Sequence, residues 1–257
     1  MTRFGRIRAS ALADWHSFVR RRTAVFFTFF FPVILIVIFG ALVRTDPTGG
    51  GLFAEPPAYY VPGYLAVVVL FTPLSRLGSE VARHRESNRF EKLATTPLTR
   101  REWLFAQTVV NAIIISLAGL LILALVIALT GAEIVYSPLL IPYVLVGVVC
   151  FCGIGAILGS YTDSQDGAVA ASNAIGLPLL FLSETFVSLE QLPGWFAPFV
   201  NLSPLTYFAR GVRAATYPEA GTPAVAGVDP IVANLVILTA LAILTFVIGA
   251  RSIPRTD

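Results

Sequence analysis

Apolar residues fill six stretches of the chain, at about 25–43, 58–75, 103–129, 139–159, 167–188 and 231–250, with polar segments between them. Glu184 is the one charged residue inside these runs, and it is expected at the outer interface. At 1.5 Å per helical residue, the 19 residues of the first run reach about 28 Å, one hydrocarbon thickness. A backbone in lipid must satisfy its own hydrogen bonds, which leaves helices or a closed barrel. Runs that are continuous rather than alternating exclude barrel strands. The first run follows Arg20, Arg21 and Arg22, as a signal peptide would. It is longer than a usual signal core, rich in phenylalanine and followed by no small-x-small cleavage site, so a retained span is expected. The expected fold is all-α: one polytopic domain over 1–257 with six transmembrane helices.

The segments between the runs carry their own patterns. Over 3–22, Phe4, Ile7, Ala11, Trp15 and Phe18 share one helical face, with Arg3, Arg6, Ser10, Asp14 and Ser17 opposite. Such an amphipathic helix lies in the inner interface or packs on its own protein. Residues 80–96 hold good helix formers, Phe90 and Leu93 stand one turn apart, and Pro97 ends the helix. Thr99 followed by Glu102 is a capping box that starts the third span. The external stretch 191–216 reads as two short helices dipping into the outer leaflet. Its second helix opens at Ser203-Pro204, with Leu205, Phe208 and Val212 on one face and Arg210 and Arg213 beside them.

Composition agrees with a lipid solvent: 56% of residues are hydrophobic and 13% charged, against about 25% charged in soluble domains. The placement of charge sets orientation. With an inside N-terminus, 15 basic residues fall on cytoplasmic segments, and only Arg44, Arg210 and Arg213 fall outside. Both termini are therefore expected in the cytoplasm.

Several chemistries have no residues to carry them. A phosphate-binding loop needs a glycine-rich turn before its lysine, and the single lysine, Lys92, has no glycine near it. The spans hold no buried carboxylate, histidine or arginine of the kind that ion-coupled carriers use. His16 and His84 lie in cytoplasmic segments, and Cys150 and Cys152 read as small packing residues, so no metal or catalytic site is expected. Asn111, Ser116, Ser172 and Asn173 are polar positions within the spans. They hydrogen-bond between helices or line a substrate path, and the sequence leaves both readings open.

The loop Arg85-Glu86-Ser-Asn-Arg-Phe90-Glu91-Lys-Leu93-Ala-Thr-Thr96-Pro97 resembles the cytoplasmic loop of ABC-2 type permeases, with Asn88, Arg89 and Phe90 where that family usually has Gly, Thr and Leu. Tyr60-Val-Pro62-Gly63-Tyr64 and the external stretch from Leu192 to Arg213 resemble two further family signatures, in the same order. The resemblance implies a half-transporter in the plasma membrane that exports an amphiphilic or hydrophobic drug, lipid or glycan. A second permease copy would complete it, and separate cytoplasmic ATPase subunits would bring ATP and Mg; this chain would hold no cofactor and bind no nucleic acid. The helix 80–96 would be the coupling helix. Arg85, Glu86, Phe90, Glu91, Leu93, Thr96 and Pro97 would form the ATPase-coupling interface. A secondary carrier or channel, or a non-transporting membrane scaffold, remains the alternative from the spans alone.

Overall fold

The computed structural model describes residues 2–38, 55–186, 194–220 and 227–254. These residues form ten α-helices and three short 3-10 turns. The helices are α1 (Arg3–Arg20), α2 (Arg22–Ile36), α3 (Val61–Glu86), α4 (Arg89–Ala94), α5 (Arg100–Thr130), α6 (Leu140–Tyr161), α7 (Gln165–Leu182), α8 (Ala197–Leu202), α9 (Pro204–Thr216) and α10 (Pro230–Ser252). By length and composition, four helical segments can cross a membrane: Pro57–Glu86, Arg100–Thr130, Leu140–Tyr161 and Pro230–Ser252. Arg22–Ile36 is a shorter apolar helix. Parts of the expected first and fifth spans, 39–43 and 187–188, lie outside the described residues, as do 191–193 of the external hairpin.

Helix α3 is the centre of the bundle, packed against α5, α6, α7 and α9, and α6 packs in turn on α10. Glycines let these backbones touch. A methyl group at Gly153 would stand 2.5 Å from the Thr245 carbonyl carbon of α10, and one at Gly159 would stand 2.2 Å from the Gly78 carbonyl oxygen of α3. Small residues at such crossings are how helices associate where lipid removes the hydrophobic drive.

The helix ends follow local chemistry. Thr99 and Glu102 form both halves of the capping box at the start of α5, and Gly131 closes that helix in the left-handed region at φ 65°. At α9, Ser203 holds the N-cap position before Pro204 but its hydroxyl makes no capping bond.

One sequence expectation is corrected here. Residues 80–96 are not a single helix. Residues 80–86 are the last turns of α3, and the chain breaks at Ser87–Asn88, with Asn88 left-handed at φ 50°. Only Arg89–Ala94 forms a separate short helix. Asn tolerates this conformation, and it follows a last turn rich in Arg83, His84 and Arg85, a C-terminal signal.

Candidate functional site

The end of the bundle at α1 and α4, expected to be the inner one, is joined by side-chain pairs between different helices. Asp14 of α1 is buried and accepts from Arg76 of α3 at 2.6 Å. With its amide nitrogen turned toward Asp14, Gln107 of α5 donates to both carboxylate oxygens, at 2.9 and 3.2 Å. Arg76 also lies over the Phe18 ring, 5.2 Å from its centroid. A second carboxylate, Glu102 of α5, takes Arg6 at 2.8 Å and Arg3 at 3.1 Å. Part of the polar stripe of α1 thus turns toward the protein, while Phe4 is 76% exposed on its apolar stripe. Trp15 and Phe18 pack with Val110 and Ile114 of α5.

The predicted coupling residues divide into two groups. Phe90 is buried, with its ring centroid 5.3 Å from His84 and 5.4 Å from Trp103, edge to face with the latter. It fastens α4 to α3 and α5 from behind and does not stand at the surface, unlike Glu91, Thr96 and Pro97. Arg85 donates to the carbonyls of Ser160 and Thr162 at 2.8 and 2.9 Å, closing the end of α6. Glu86 accepts from the Gln165 backbone at 3.0 Å, at the start of α7. Both hold the turn between α6 and α7. Glu91, Thr96 and Pro97 are exposed, and Leu93 is half-buried behind them. The Thr96 hydroxyl donates to the Leu93 carbonyl at 2.7 Å, which turns the chain after α4.

The predicted path residues also separate. A groove of about 1060 Å³ opens between α2, α3 and α7, walled by Phe31, Val67, Phe71, Leu177 and Phe181. Its polar end holds Asp14, Arg76 and Glu80. Asn173 lines this groove. Ser172 turns the other way, donating to the carbonyls of Ala168 at 2.7 Å and Leu74 at 3.3 Å, so it is a bond between α7 and α3. Asn111 is buried on α5 and donates to the Gln107 carbonyl. Ser116 is half-buried on the same helix. The three helices that wall the groove each carry an internal proline: Pro32, Pro73 and Pro178. A proline has no N–H to give the carbonyl four residues before it.

At the opposite end, expected to be the outer one, Glu184 pairs with Arg210 of α9, whose Nε donates at 2.7 Å. That carboxylate's hydrogen bond holds the Arg210 pKa above its ordinary value. Arg213 is buried and donates to the backbone carbonyls of Glu184, Thr185 and Tyr59. Its guanidinium lies 4.1 Å from the centroid of the Tyr59 ring. Burial presses its pKa down, against the pull of Tyr59 and Glu184. Sequence reasoning placed both arginines beside an apolar face and missed their partners. Glu184, the lone acid inside an apolar run, was the available signal. Among the described residues, no group of three or more His, Cys, Asp or Glu side chains could hold a metal ion.

Comparison with known proteins joins these features. The family model described as ABC-2 type transporter matches residues 6–217. The chain is similar to the "putative transport permease ycf38" of Porphyra purpurea, 22% identical over 187 residues. That alignment covers 71% of this chain and 64% of the relative.

Proposed function

The chain belongs to the ABC-2 type transporter family, and from that premise we propose that it is the permease subunit of an ATP-binding cassette exporter. In this reading six spans cross the plasma membrane with both termini in the cytoplasm, and two permease copies enclose the path. Separate ATPase subunits dock on the cytoplasmic side and supply the energy. The passenger is an amphiphilic or hydrophobic drug, lipid or glycan, moved outward.

The observation that carries this reading is the combination at α4 and the turn after it: an exposed surface at Glu91, Thr96 and Pro97 fixed from behind by the buried Phe90. A short helix with one exposed face, held rigidly against two long ones, suits docking into a groove on a partner. The Arg85 and Glu86 contacts would extend a partner's push to the turn between α6 and α7, and through Asn173 on α7 to the groove. ATP-dependent closure of the partner subunits would then populate a second arrangement of the spans.

The test is co-purification with a nucleotide-binding subunit, followed by ATPase and flux assays in proteoliposomes. Stimulated hydrolysis and ATP-dependent flux support the reading. Flux driven by an ion gradient with no ATPase present would overturn it in favour of a secondary carrier.

A further inference from the structure

A second groove, of about 1010 Å³, lies where the inner ends of α5 and α10 meet α4 and the start of α1. Four arginines line it, Arg3, Arg100, Arg101 and Arg251, against one carboxylate, Glu102. That carboxylate is fully engaged by Arg3, Arg6 and the Thr99 backbone N–H. Arg100 is engaged too, donating to the Arg251 and Ile253 carbonyls at the end of α10. The guanidiniums of Arg101 and Arg251 are left exposed, with no partner among the described residues. The floor beneath them is apolar, formed by Phe90, Leu93, Trp103 and Ala250.

Helical spacing says what the two free cations stand under. Phe105 is four residues from Arg101 and so on the same face of α5; it is 49% exposed. Ile248 and Leu244 are three and seven residues before Arg251 on α10, and both are exposed. Each free arginine is therefore the foot of an exposed apolar stripe on a membrane-length helix. Two cations lining one groove, with exposed Phe105 above one and Ile248 and Leu244 above the other, complement a phosphodiester that carries two hydrocarbon chains.

We propose that this groove binds the headgroup of an anionic phospholipid of the inner leaflet, its phosphate between Arg101 and Arg251 and its chains along the stripes above. Such a lipid would tie α10 to α5 beside α4. The site needs no ATPase, so it stands or falls separately from the transport reading.

The experiment is native mass spectrometry of the purified full chain, equilibrated with equal phosphatidylglycerol and phosphatidylcholine. The expected result is retained phosphatidylglycerol in excess. Each of Arg101→Gln and Arg251→Gln should lower that preference roughly fivefold, from the attraction of one basic residue to an anionic surface. Arg20→Gln, exposed at the inner face but outside the groove, should leave it unchanged. An equal fall with Arg20→Gln would show diffuse charge rather than a site and overturn the proposal. So would an unchanged preference in the Arg101→Gln/Arg251→Gln double variant. Binding of soluble glycerophosphate as strong as that of the lipid would also overturn it. If the double variant lost only its ATPase partner, the groove would belong to protein docking instead.

Discussion

Arg213 at one end of the bundle and the Asp14 and Glu102 pairs at the other hold their charges differently. At the outer end, Arg213 is buried and bonds backbone carbonyls from the end of α7 and the start of α3, with the Tyr59 ring against it. At the inner end, Asp14, Arg76 and Gln107, and Glu102 with Arg6, meet side chain to side chain across separate helices. Backbone acceptors cannot turn away, so an arginine locked on them fixes the helices that supply them. Side-chain pairs can exchange partners with little backbone movement. Arg213 is built to stay in place, and the Asp14 and Glu102 pairs are contacts that can be remade. Each end also holds one of the other kind: Glu184 with Arg210 beside Arg213, and Arg85 on the Ser160 and Thr162 carbonyls beside the pairs.

The strongest way to break this comparison is Arg213→Ala. It strands the carbonyls and should cost about 4 kcal/mol in sum, at roughly 1 to 3 kcal/mol for each buried acceptor left without a donor. Thermal unfolding in detergent would read it. Arg213→Lys should recover only part, because an ammonium lacks the planar fork. Asp14→Asn should cost less, about 2 to 3 kcal/mol, since the Arg76 side chain keeps 19% of its surface in solvent. A double-mutant cycle with Arg76→Gln should return a coupling of about 2 kcal/mol, and additive effects would refute the pair. Phe90→Ala should cost about 2 kcal/mol, less than the roughly 3 to 5 kcal/mol of a deep core phenylalanine because a single short helix can open locally, and faster amide exchange over 89–94 would read it. Thr99→Ala removes half of the capping box and should cost about 1 kcal/mol in denaturant unfolding. Last, Glu91→Ala should change stability by less than about 0.5 kcal/mol. It should still raise ATP turnover per molecule exported, and normal coupling would remove Glu91 from the docking face.

The sequence carried what is local and periodic. The long apolar helices, the Thr99–Glu102 box and the Leu205, Phe208 and Val212 face all follow from composition and spacing, and those three side chains are fully buried. Residues far apart in sequence were not legible. Asp14 and Arg76 lie 62 positions apart, and Glu184 and Arg210 lie 26 apart, with no period to link them. Their helices meet only through tertiary packing. The same reason explains Phe90: spacing placed it one turn from Leu93, but its side is decided by Trp103 and His84 on neighbouring helices. The break at Asn88 is legible in principle, since Asn tolerates the left-handed conformation, but helix propensity over 80–94 alone favours one continuous helix.

Pro32, Pro73 and Pro178 bear on how the first groove could change width. In hydrocarbon no water stands ready to replace a broken backbone hydrogen bond, and each unsatisfied group there costs several kcal/mol. An ordinary helix resists bending for that reason. At these three levels the bond is already missing in the resting fold, so a bend there ruptures nothing further. All three walls can flex at those levels, and on the proposed function the energy of an ATPase partner would not be consumed in unwinding helices.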